Sequence, residues 1–262
     1  MRVFDGGGPR KVLALHCSLA HGGAWAGVAA CLTGVTLMAP DLPGHGSHPL
    51  WDGHTDLHSE STRQAIALAE AEGMVDLVGH SFGATVALRV ALERAELVRS
   101  LTLIEPVLFA AARAAESPAF RPFVQGHRAF AELAAAGQMV EAAQAFMAEW
   151  GDGSPWEALP ERQRVYIIDR IAQVAAQDSA LLEDSAGLLG FMRLEALGVP
   201  VLLIEGANSP PIIAAIQTAL SDRLPQVTRV VIPAAGHMAP ITHAAGVAEA
   251  MQTHLDRVGV SG

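Results

Sequence analysis

Six short apolar runs, most closed by Gly, Pro or a polar turn residue, recur along the chain of 262 residues: KVLALHC (11–17), VTLMAPD (35–41), MVDLVGHS (74–81), SLTLIEP (100–106), PVLLIEG (200–206) and TRVVIPAAGH (228–237). They are near-continuous rather than alternating, which suits strands covered on both faces of a parallel sheet. Between most of them lie segments of helical periodicity: STRQAIALAEAE (61–72), GATVALRVALERA (83–95), PIIAAIQTALSDRL (211–224) and AAGVAEAMQTHL (244–255). This alternation predicts an α/β fold built on a doubly wound, mostly parallel sheet. It is interrupted once. Residues 107–197 offer no strand candidate and carry helical patterns instead, over 127–137, 138–150 and 161–178. An all-helical block between two strands predicts an inserted cap, with 1–106 and 198–262 forming the core that it covers.

Composition narrows the partners. A hydrophobic share of 51% is enough to bury one large core. Asp and Glu outnumber Lys and Arg by 27 to 17, and no basic run offsets the net charge of -10, so neither nucleic acid nor an anionic membrane is an expected partner. The N-terminal apolar run is too short for an export signal, and none approaches the roughly 18 residues that span a bilayer. Cys17 and Cys31 lack metal-site spacing and read as reduced thiols of a soluble, cytoplasmic protein. No metal or cofactor motif is present, which leaves a small-molecule substrate as the expected partner. The oligomeric state has no signature.

The strongest chemical signal is LVGHSFGA, in which Gly79, Ser81 and Gly83 fit G-x-S-x-G between a strand and a helix. A serine at the apex of so sharp a turn needs neighbours without side chains, because backbone passes close by. Ser81 is thus the candidate nucleophile, and the Phe82 N–H at the helix start is a candidate donor to an oxyanion. The bland alternative is a Gly-Ser turn without chemistry, which the flanking strand and helix disfavour. Ser81 needs a base. His237, in PAAGHMAP at the end of the last strand candidate, falls at the same sheet edge. His80 adjoins Ser81 and reads as a packing or hydrogen-bonding residue, and His45 and His243 as loop residues.

Taken in order, LHCSLAHGGAW, APDLPGHGSHP, GHSFGA and PAAGHMAP resemble the α/β-hydrolase superfamily over nearly the whole chain outside the cap. The resemblance implies a second oxyanion donor from the loop after the first of these strands: the N–H of Ser18 or, less favoured, of Leu19. The family's usual His-Gly pair is His16-Cys17 here. The resemblance also implies a structural role for His16 and a place for Trp25 near the pocket. Phe109, Phe120, Phe123, Phe130, Trp150, Trp156 and Tyr166 are the cap aromatics available to line that pocket, Phe109 and Tyr166 among them, although most should simply pack helices.

The acid that orients the histidine is missing from its usual place. In most relatives of this kind it follows the strand equivalent to PVLLIEG, where this chain has Ser209. Any carboxylate between Ser81 and His237 satisfies the order of the triad. Two glutamates end the triplet Leu-Ile-Glu in that span, Glu105 and Glu205. Glu105 is favoured, because a subset of the family, seen best among haloalkane dehalogenases, takes its acid from the end of the strand that follows the nucleophile's helix. Glu205 is the alternative. Either could instead pair with an arginine, since burying an uncompensated carboxylate costs on the order of several kcal/mol.

The expected function is that of a serine hydrolase cleaving a small neutral carboxylic ester through an acyl-enzyme. Dehalogenation is disfavoured, because it needs a carboxylate where this chain has Ser81. A lyase or C–C bond hydrolase on the same fold, and a binding protein that has lost catalysis, are the alternatives.

Overall fold

In the computed structural model, which describes residues 1–259, seven strands form one sheet. They are β1 (Arg2–Asp5), β2 (Arg10–Leu15), β3 (Val35–Ala39), β4 (Val75–His80), β5 (Val98–Ile104), β6 (Val201–Gly206) and β7 (Val227–Ile232), in the spatial order β1-β3-β2-β4-β5-β6-β7. All pairs are parallel except β1 with β3. The sequence reading has no counterpart for β1, a four-residue edge strand whose mostly exposed RVFD has no apolar run.

The helices are α1 (Ala26–Ala29), α2 (Leu57–Glu72), α3 (Phe82–Glu93), α4 (Phe109–Ala114), α5 (Phe120–Ala135), α6 (Met139–Trp150), α7 (Glu161–Ile168), α8 (Ile171–Ala175), α9 (Asp178–Leu181), α10 (Pro211–Ser221), α11 (Ala239–Thr242) and α12 (Ala244–Gly259). Asp56 caps α2, its carboxylate accepting from the His58 and Ser59 N–H groups.

The sheet carries a core on each face, which accounts for the near-continuous apolarity of its inner strands. Leu13, Leu77, Leu101, Leu103 and Leu203 pack with α2, α3 and α10. Their chain neighbours Val12, Val78, Ile104, Leu202 and Ile204 pack on the other side with α1 and α12. A third cluster, around Phe130, Ala142, Ala143, Ile167 and Ile171, is built by the helical insert, with Leu19 of the loop after β2 packed against it. The ends of the insert do not share it: Val107–Ala112 and Leu181, Leu188, Leu194 and Leu197 join the first core. The periodic run 161–178 is divided into α7, α8 and the start of α9. Among the described residues no helix is long and apolar enough to cross a membrane.

Candidate active site

Ser81 stands between β4 and α3 with φ 57 and ψ −118, a backbone conformation that costs on the order of 1–3 kcal/mol for a residue with a side chain. The surroundings hold it there. Its N–H donates to Ile104 O at 2.9 Å, and its carbonyl accepts from the Ala84 N–H at 3.0 Å. Both flanking glycines are obligatory by contact. A Cβ on Gly79 would lie 2.2 Å from Gly83 O, and one on Gly83 would lie 2.4 Å from Leu15 O. Phe82 opens α3, so its N–H has no acceptor within the helix.

His237 follows β7 and spans the distance from the serine to a carboxylate. Its Nε2 is 3.0 Å from Ser81 Oγ, and its Nδ1 is 3.0 Å from Glu105 Oε2. With the Nδ1 hydrogen directed to the carboxylate, Nε2 is left to accept from the serine hydroxyl. Glu105 lies just past the end of β5, fully buried, with φ 51, and its N–H donates to Ile204 O at 2.9 Å. Its other oxygen, Oε1, accepts from the Gly206 N–H at 2.5 Å and from Ser209 Oγ–H at 2.7 Å. Ser209, at the position where an acid was sought, thus donates to the acid that lies one strand away.

Glu205 is placed differently. Its side chain pairs with Arg229 on β7, Nη2 to Oε1 at 3.0 Å, and makes no described contact with His237, so the alternative acid is corrected to an ion-pair residue. Trp25 and Phe109 are both buried in packing: Trp25 in the core shared with α1 and α12, and Phe109 in the other core, its ring tilted against that of Phe123 at 4.2 Å. Hydrophobic character alone does not separate a core aromatic from a pocket aromatic.

Tyr166 does line a cavity. This space of about 620 Å³ runs between the helical insert and the loops after β2 and β7, with Ser18, Leu19, Phe146, Met147, Trp150 and Met238 on its wall. Ser81 and His237 lie outside the lining, and Trp150 connects them to it, its ring 4.7 Å from that of His237 in an edge-on contact. The Trp150 contact joins α6 to the loop after β7, a distance in sequence that no local pattern bridges. Arg162 and Asp152 bring one charge of each sign to the wall.

Three more histidines support the site as buried neutral rings. Burial, with His237 adding to it, pushes the His80 pKa down to about 3, and its Nε2 bonds the His237 carbonyl at 2.8 Å. Burial and His45 push His16 down to about 3 as well. His16 Nδ1–H donates to Cys17 O at 2.8 Å, and its Nε2 accepts from the Leu42 N–H at 2.9 Å. His45 is pushed by burial to about 4. Burial also raises the Cys17 thiol to about 12, which makes it unreactive.

Comparison with known proteins shows the family. A model described as "Alpha/beta hydrolase family" matches residues 12–250. Among curated proteins, a lipase, LipV, from Mycobacterium tuberculosis is 37% identical over 101 residues, 38% of this chain and 39% of that protein. The match therefore spans about two fifths of that relative's length. Among solved structures, the haloalkane dehalogenase DatA from Agrobacterium tumefaciens aligns with a TM-score of 0.75 at 21% identity, over 96% of this chain and 91% of that one. A hydrolase from Pseudomonas aeruginosa aligns with a TM-score of 0.73 at 20% identity, over 97% and 92% of the two chains. At these identities the structural likeness is one of fold.

Proposed function

The chain belongs to the alpha/beta hydrolase family, and from that premise we propose that it is a serine hydrolase acting on a small, uncharged carboxylic ester through an acyl-enzyme. The observation that carries this reading is the bridging imidazole, 3.0 Å from both Ser81 Oγ and Glu105 Oε2. Ser81 Oγ attacks the ester carbonyl while His237 Nε2 takes its proton, and Glu105 stabilises the imidazolium. The N–H groups of Phe82 and Ser18 hold the oxyanion that forms. His237 then returns the proton to the leaving alcohol, and water repeats the sequence on the acyl group, releasing the acid and restoring Ser81. The mostly apolar wall beside the site, with Arg162 and Asp152 of opposite charge, fits a substrate without net charge. The name of the lipase relative points to the same bond type.

A fluorophosphonate probe tests the reading. Intact-mass analysis should show one covalent adduct on the protein and none on Ser81→Ala, and short p-nitrophenyl esters should be turned over. An unlabelled native protein would sink the proposal. Labelling without ester turnover would move it to the C–C bond hydrolase or lyase class.

A further inference from the structure

Taking the serine hydrolase reading as its basis, we propose that Gln177, in the cap, is a positioning residue for the oxyanion loop, so that the cap belongs to the catalytic machinery as well as covering it. The loop after β2 carries the Ser18 N–H and is poorly braced from within. Leu19 has φ 62, in the left-handed region that disfavours a side chain, and the loop's own turn bond, Ala20 N–H to Cys17 O, is long at 3.3 Å.

The bonds that hold the far side of this loop come from the cap. Ser18 Oγ–H donates to Gln177 Oε1 at 2.8 Å, and Tyr166 O–H donates to Ala20 O at 3.1 Å. Tyr166 also accepts from the Gly46 N–H at 2.9 Å. Gln173 Nε2–H donates to His45 Nε2 at 2.8 Å, and His45 meets His16 edge-on at 5.1 Å. Tyr166 on α7, Gln173 on α8 and Gln177 in the turn after α8 therefore bear on the Ser18 loop and on the neighbouring loop that carries His45 and Gly46.

Gln177 is the most telling of them. It is 2% exposed, and its Nε2 has no partner among the described residues. Rotating the amide by half a turn would only transfer the unmet hydrogen bond to the oxygen. A residue needed only to fill this space would be better apolar, because an unpaired buried amide group is destabilising. What the amide supplies that an apolar side chain would not is the acceptor for Ser18 Oγ. Gln177 does not touch the reacting atoms, and it acts through Ser18.

The test compares Gln177→Leu with Ser18→Ala, which removes one hydroxyl and leaves the backbone N–H, using p-nitrophenyl ester kinetics normalised to active sites titrated with fluorophosphonate. Each variant should lower kcat about tenfold, less than the loss of an entire oxyanion donor, with KM within about threefold. The Ki of a trifluoromethyl ketone analogue, whose adduct places an oxyanion in the hole, should rise by the same factor. The double variant should be no worse than either single one, and Ser18→Thr should restore kcat. Unchanged kcat per titrated site, or losses that multiply in the double variant, would overturn the role of Gln177 and leave the hydrolase reading standing. A native protein that takes no label would bring down both. If Gln177→Leu does not fold, Ser18→Ala with the ketone decides by itself.

Discussion

Glu105 answers to three residues at once: His237 on one oxygen, and Gly206 and Ser209 on the other. We expect Glu105→Gln to lower kcat by about 10³- to 10⁴-fold, because the amide can hold the imidazole without stabilising its charged form. Glu205→Gln should stay within about threefold, since Glu205 faces Arg229. Steady-state kinetics on the two variants checks the pair, and the opposite ranking would exchange their roles. Because Ser209 Oγ lies 2.7 Å from the carboxylate, Glu105→Ala should be inactive and regain at least about tenfold on adding Ser209→Asp. Ser81 and His237 were legible in the sequence because each is marked locally, by glycine spacing and by the end of an apolar run. The two glutamates end the same triplet, and their difference lies in direction: Glu105 turns at φ 51 beyond its strand, whereas Glu205 stays within β6 and reaches β7. That difference depends on the third dimension, and so does the contact of Trp150 with His237.

Among the elements, the turn from β4 into α3 is tightly constrained, because its glycines pass backbone oxygens at distances no side chain allows. Gly83→Ala should therefore destabilise the protein by about 3 kcal/mol or more, at the severe end of overpacking, because the obstructing atoms are the Leu15 and His16 carbonyls rather than a movable side chain. A denaturation midpoint close to that of the native protein would show that the turn can relax. The five interior strands could be read from their apolar runs, because both faces are buried, and β7 from its valines and isoleucine, although several of its residues are exposed at the far edge. The edge strand β1 could not, because its half-solvated residues leave no such trace. The insert could be read as helical, but not where its own core begins, since α4 looks like a cap helix and packs with α10 in the main core.

At the scale of the whole molecule, His16, His45, His58 and His80 are buried rings pushed by burial to about 3, 4, 4 and 3, with Arg89 adding to the effect on His58. Each folded value lies below the ordinary 6.5, so the stability they contribute is complete above about pH 6.5. It is lost as pH falls toward 4, where the unfolded chain takes up protons that the folded one refuses. The slope is up to about 1.4 kcal/mol per pH unit for each ring. The thermal midpoint should be level above pH 7 and fall steadily from 6.5 to 4, and a flat profile across that interval would count against neutral rings. The sheet also has a history in time. β5 and β6 are neighbours in space, yet the whole helical insert is made between them. At about 5–20 residues per second on the ribosome, the apolar edge of β5 waits roughly 5–20 s for its partner strand. Throughout that interval the nascent chain carries Ser81 and Glu105 but not His237, so the apolar edge of the sheet exists before the proposed triad can close.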